Sequence, residues 1–283
     1  MEIDSANHTI KFDYEYGKIE IGENLAVMNL DSNFKYINPK EADFVLEKIW
    51  GNPPGAGTLG MVLPAESSPL DSNAWAMVIE YSDEGYIKDK DADKINYDKL
   101  LKQMQKEVED RNKERVRQGY EEVHLIGWAE SPYYDKAAKK LYWAKELKFG
   151  KEPKNTLNYN IRILGRKGYL LLNVVSGMEQ LEKIRPYMKD IIQCTEFQQG
   201  NTYAEFNPKL DKAATYGIAG LIAGGILIKA GFFKVLIAGI IALKKFIIIG
   251  AIAVIVAIRA LFSRKKKKDE VLQVKEQVKK LEE

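Results

Sequence analysis

The chain has 283 residues, enough for one large domain or one medium domain with an appendage. Its net charge of +3 hides an asymmetry: residues 208–283 hold 15 Lys/Arg against 6 Asp/Glu, or +9, while the preceding 207 hold 28 against 34, or −6. An acidic head on a basic, apolar tail argues against nucleic acid, the single Cys194 excludes an intrachain disulfide framework or cysteine-rich metal site, and His8 and His124 leave little for zinc or a Ser-His triad.

The start, Met1-Glu2-Ile3-Asp4, has neither the basic nor the apolar region of a signal peptide. From His8, HTIKFDYEYGKIEIGENLAVMNL alternates polar and apolar and predicts a meander turning near Gly17 and Gly22. NPKEADFVLEKIW predicts a short helix with Asn38 as N-cap and Pro39 at its first position, ended by the loop GNPPGAG. TLGMVLP and WAMVIEYSDEGYI supply strands, the second broken by a tight turn at 83–85. Ile95, Leu100, Leu101, Met104 and Val108 recur at helical spacing and predict a long helix over 93–119, stopped by Gly119. The strands VHLIGWA, KLYWAKELKF, TLNYNIRILG and GYLLLNVVS follow, then a helix over 179–193. Helices interspersed with antiparallel strands predict an α+β fold: an antiparallel-sheet-rich head with packed helices over residues 1–207.

The remainder divides into a Gly/Lys-rich membrane helical region, 208–262, and a basic run with a short amphipathic helix, 263–283. Residues 213–258 contain no Asp or Glu and four lysines, Lys229, Lys234, Lys244 and Lys245. A span needs about 20 residues, so this length admits one crossing or two. On one continuous helix the lysines fall at about 0°, 140°, 60° and 160°, within half the circumference. They either snorkel to lipid headgroups or face an oligomer interior or wet pore. Gly217, Gly220, Gly224 and Gly225 favour close helix packing, Gly220 and Gly224 forming a GxxxG pair. The RKKKK run marks the cytoplasmic end.

No catalytic residue, metal site or cofactor is predicted. DKDADK (89–94) resembles the start of a calcium loop, but Lys94 replaces the needed glycine and Leu100 the needed glutamate. His124 alternates with apolar neighbours in a strand and reads as a face residue. GWAESPYYD (127–135) offers either a core corner or a ligand groove built from Trp128, Tyr133, Tyr134 and Asp135.

Several long motifs, WGNPPGAGTLGMVLP, WAMVIEYSDEGYIKDKDA, RNKERVRQGY, GWAESPYYDKAAKKLYWA, NYNIRILGRKGYL and GNTYAEFNPKLDKAATYGIAGLIAGGILIKAG, resemble a bacterial family of uncharacterised membrane-anchored proteins, domain of unknown function 2167. The resemblance runs over about residues 25–262. It implies an exported head, a signal peptide that is removed and a C-terminal membrane region; it carries over no activity. The expected protein is a non-enzymatic, bacterial cell-envelope scaffold or binding module with an extracytoplasmic head and cytoplasmic C-terminus. Its expected partners are the lipid bilayer, further copies of itself and an unidentified envelope protein or ligand, with no nucleic acid. The alternatives are an oligomeric channel or transport component lined by the four lysines, and an envelope hydrolase using carboxylates near Asp135.

Overall fold

The computed structural model describes residues 2–224 apart from 5–8, 53, 56 and 72–74. The expectations for Gly225, Lys229, Lys234, Lys244, Lys245, the basic run and the terminal amphipathic stretch therefore lie outside the described residues.

In chain order, β1 (Glu2–Asp4) and β2 (Thr9–Lys11) form a small ribbon, and β3 (Tyr14–Glu15) follows. β4 (Lys18–Ile21) and β5 (Ala26–Asn29) make a hairpin whose turn places Gly22 and Asn24 at φ 66° and 51°, left-handed values that these two residue types tolerate. After β6 (Phe34–Ile37) comes α1 (Pro39–Phe44). The Asn38 side chain accepts the Glu41 N–H at 3.1 Å, and Pro39 occupies the first helical position. A single π-turn, Val45–Ile49, ends this segment.

β7 (Met61–Pro64), β8 (Met77–Ser82) and β9 (Tyr86–Lys88) lead to α2 (Tyr97–Arg117). The helix is capped by Asn96 and stopped by Gly119 at φ 81°; residues Ala92–Lys94 form a separate 3₁₀ turn, so the helix starts four residues later than its periodicity predicts. Four long strands, β10 (Val123–Asp135), β11 (Lys140–Phe149), β12 (Thr156–Leu164) and β13 (Tyr169–Gly177), precede α3 (Leu181–Cys194), β14 (Thr195–Phe197), β15 (Ala213–Gly217) and α4 (Ile218–Ala223).

One antiparallel sheet of eight strands, ordered β10-β11-β12-β13-β8-β7-β6-β3, organises the chain. Alternate side chains point to opposite faces. One face carries Phe34, Tyr36, Val62, Met77, Ile79, Leu157, Tyr159, Ile161, Leu170 and Leu172, and is closed by α3 and the small sheet β14-β5-β4. The other face is covered in two places. α2 and α4 cover Leu125, Leu141, Trp143 and Leu171 at one end; α1 covers Ile37, Met61, Leu63 and Val78 at the other. The result is an antiparallel-sheet-rich α+β fold with few helices.

The apolar segment from residue 213 does not begin as a membrane helix. Residues Ala213–Gly217 pair in parallel with β9, and α4 buries Ile218, Leu221 and Ile222 in the cluster beneath α2. Among the described residues, no helix is long and apolar enough to cross a membrane. The chain therefore stays with the head well past residue 207, because these apolar side chains find buried partners there.

Candidate functional site

Between the two apolar covers, the middle of the open sheet face is polar. The antiparallel registers align three rows across it: Glu80–Leu171–Arg162–Leu141, Val78–Asn173–Asn160–Trp143 and Val175–Asn158–Lys145–Trp128. Neighbours within a row stand about 5 Å apart and successive rows about 7 Å apart. Arg162, Asn158, Asn160 and Asn173 are buried, while Glu80, Lys145, Val78, Val175 and Trp128 keep partial solvent access. This combination describes a recess with a polar floor, and every floor residue is fixed on a sheet strand.

The hydrogen bonds on the floor use acceptors and leave donors. Arg162 Nη1 donates to the Asn173 side-chain oxygen at 3.1 Å and to Ile161 O at 2.8 Å; Nη2 reaches the Asn160 oxygen at 3.4 Å. Asn160 Nδ2 donates to Asn158 Oδ1 at 3.0 Å. Among the described residues nothing accepts from Asn158 Nδ2, Asn173 Nδ2, Arg162 Nε or Lys145 Nζ, and the buried Trp143 Nε1 is likewise without a partner. The Arg162 guanidinium lies 5.1 Å from the Trp143 ring centroid, a cation–π contact that orients it.

Charge on this floor is only loosely balanced. Among the described residues no carboxylate lies within 4.0 Å of Arg162 or Lys145. Burial pushes the Lys145 ammonium down to about 8, and the adjacent positive charge of Arg162 adds to the effect. Burial raises the Glu80 carboxyl, with Arg162 opposing the rise and Asp43 of α1 assisting it. On α2, Glu107 lies on the flank opposite Gln105, whose amide holds the β10 backbone; Glu107 Oε2 is buried with no partner among the described residues.

The loop after α1 borders the Glu80 side. Leu59 N–H donates to Ile79 O and Ile79 N–H to Gly60 O, tying the loop to β8 next to Glu80. Gly60 is at φ 116°, and a Cβ there would come within 2.3 Å of the Tyr36 ring, so the close approach requires glycine. Asp43 accepts from the Thr58 hydroxyl at 2.9 Å and so anchors the same loop to α1.

The four residues predicted as one groove are distributed over the strand instead. Trp128 borders the polar floor through Lys145, with its indole N–H 3.3 Å from Tyr97 O. Tyr134 shares that face but donates to Asp89 at 2.9 Å, whereas Tyr133 lies on the opposite face, 5.2 Å ring to ring from Tyr142. Asp135 accepts the N–H groups of Ala137 and Ala138, both at 2.9 Å, and closes the hairpin turn. Strand alternation separates Tyr133 from Tyr134, and the local turn occupies Asp135.

The acidic loop 89–94 is occupied by protein. Asp89 accepts from Lys139 Nζ at 2.8 Å, Asp93 pairs with Lys136, and Asp91 accepts the Ile218 and Ala219 N–H groups, each at 3.0 Å. No group of residues that could hold a metal ion occurs among the described residues. Gly217 and Gly220 make their close approaches within the chain: added Cβ atoms would lie 2.5 Å from the Asp91 carboxylate and 2.7 Å from Tyr216 Cβ. Gly224 terminates α4 at φ 83°. His124 Nδ1 is 2.7 Å from Glu109 on α2, at the sheet edge.

Among solved structures, the chain is similar to cyanobacterial PsbP (CyanoP) of Synechocystis sp. PCC 6803, with a TM-score of 0.34, 9% identity, and coverage of 66% of this chain and 92% of that one. It is also similar to LpqN, a protein involved in cell envelope biogenesis of Mycobacterium tuberculosis, with a TM-score of 0.32, 10% identity, and coverage of 65% and 91%. No curated protein matches the sequence. The family model described as "Protein of unknown function (DUF2167)" matches residues 13–255, across the strands, helices and polar floor described above, and the chain belongs to that family.

Proposed function

We propose that the chain is a non-enzymatic binding module of the bacterial cell envelope, with the sheet recess as its binding site and the apolar C-terminal segment as its membrane attachment. The observation that carries the reading is the polar floor. Burying a guanidinium and an ammonium without a carboxylate partner lowers stability, and an apolar floor of the same shape would serve the fold better. Side chains fixed on central strands suit recognition, because little conformational freedom remains to be lost on binding. Membrane attachment rests on residues 225–258, which follow the described head and contain no carboxylate, and on the basic run after them. Self-association through the Gly/Lys-rich segment and an extracytoplasmic head belong to the same proposal.

Whole-cell labelling tests the placement. In a Cys194→Ser background, single cysteines replace Lys106, which is well exposed on α2, and Lys280 in the tail. An impermeant maleimide is expected to label Lys106→Cys in intact cells and to reach Lys280→Cys only after permeabilisation. A head that stays unlabelled until permeabilisation overturns the envelope placement.

A further inference from the structure

Resting on the binding reading above, we infer that the recess receives an anionic group, a carboxylate or phosphate, held by Arg162, Lys145 and the side-chain amides of Asn158 and Asn173. The floor has unspent hydrogen-bonding capacity. On the floor, the amide oxygens of Asn158, Asn160 and Asn173 are already occupied by neighbouring donors. What remains free among the described residues is a set of donors on three adjacent strands: Lys145 Nζ and Trp143 Nε1 from β11, Asn158 Nδ2 and Arg162 Nε from β12, and Asn173 Nδ2 from β13. Trp143 is only 1% exposed, so its indole N–H has no route to bulk water and gains most from a polar occupant. Convergent donors with two cations match an oxyanion, and charge-assisted hydrogen bonds in a dry site are the strong ones.

The acids around the recess shape the rest of the ligand. Glu80 stands one strand beyond Leu171 in the Arg162 row, and Glu107 on α2 has a buried Oε2 with no partner among the described residues. Both are acceptors, so the ligand's anionic end belongs over β11–β12–β13 and its hydroxyl or amino donors toward the rims. The charge acting on Lys145 is that of Arg162 from its own sheet, with Glu80, Tyr169 and Tyr216 around Arg162 and Asp43 beside Glu80. An incoming anion favours the protonated Lys145, so binding weakens as pH rises through about 8.

The test uses the purified full chain labelled with ¹⁵N at tryptophan, whose indole signals come from Trp50, Trp75, Trp128 and Trp143. Trp143→Phe assigns the reporter. Inorganic phosphate and acetate are titrated at constant ionic strength, with trehalose as an uncharged probe. A saturable shift of the Trp143 signal by phosphate or acetate is expected, and which of the two acts identifies the source of the anion. Lys145→Met should weaken that response at least tenfold, while Lys106→Met on the exposed face of α2 leaves it unchanged. Arg162→Lys, which keeps the charge but loses the fork, provides a second weakened variant if Lys145→Met alters the fold. A response to trehalose alone keeps the recess as a binding site and overturns the anion assignment. No response to any of the three probes overturns both.

Discussion

At the scale of single residues, Lys145 carries a measurable penalty. Its folded-state value near 8 lies below the ordinary 10.5, so the folded protein holds the ammonium less readily than the unfolded chain. The penalty is fully present below about pH 8, shrinks as pH rises toward the ordinary value, and is gone above it. Lys145→Met is therefore expected to stabilise the protein by about 1–3 kcal/mol at pH 7, with the advantage fading by about pH 10. Urea unfolding of both proteins at the two pH values measures this. A variant less stable than the parent at pH 7 would show that Lys145 is compensated in the free protein. Glu130 and Asp211, by contrast, have ordinary structural partners. Glu130 accepts from the Tyr159 hydroxyl at 2.5 Å and pairs with Arg185, and Asp211 pairs with Arg166 at 2.7 Å. These pairs pin α3 and the 200–212 loop to the sheet and leave nothing unspent.

At the scale of elements, α4 is six residues long and too short to persist alone, so its start depends on Asp91. Asp91→Ala is expected to cost about 1–2 kcal/mol and to release the Ile218 and Ala219 amides to rapid hydrogen exchange. Unchanged protection at those two amides would mean that packing alone holds the helix. Much of this level was legible in the sequence. The Gly22 turn, the Asn38-Pro39 start, the Gly119 stop and the four long strands all follow from local chemistry. The polar floor was not. In NYNIRIL, Asn158, Asn160 and Arg162 recur at every second position, a pattern that ordinarily marks a solvent-facing strand side. Here β12 is buried along its whole length, because it lies inside the sheet between β11 and β13, and β13 in turn pairs with the distant β8. What covers a polar face is decided by such long-range contacts, and alternation alone does not encode them. The first residues of the expected membrane region form a strand for the same reason: AATYG is apolar enough for lipid and equally suited to a place beside β9.

At the scale of the whole molecule, the head ends later than its composition suggests. The charge change near residue 208 separates an acidic from a basic segment, yet Ile218, Leu221 and Ile222 are at most 3% exposed within the head. A chain ending at 207 leaves their site empty and is expected to lose at least about 3 kcal/mol relative to one ending at 224. Thermal unfolding of the two truncations checks this, and equal midpoints would show that β15 and α4 are dispensable. The parallel pairing of β15 with β9 has a mechanical side as well. Any tension applied to the chain beyond Gly224 enters the head through α4 and the Asp91 clamp, then passes along β15 into β9. The loop between β9 and α2 carries Asp91 and Asp93 and leads directly to the helix that walls the recess. A tug from the C-terminal side is thus delivered to the segment that leads into α2.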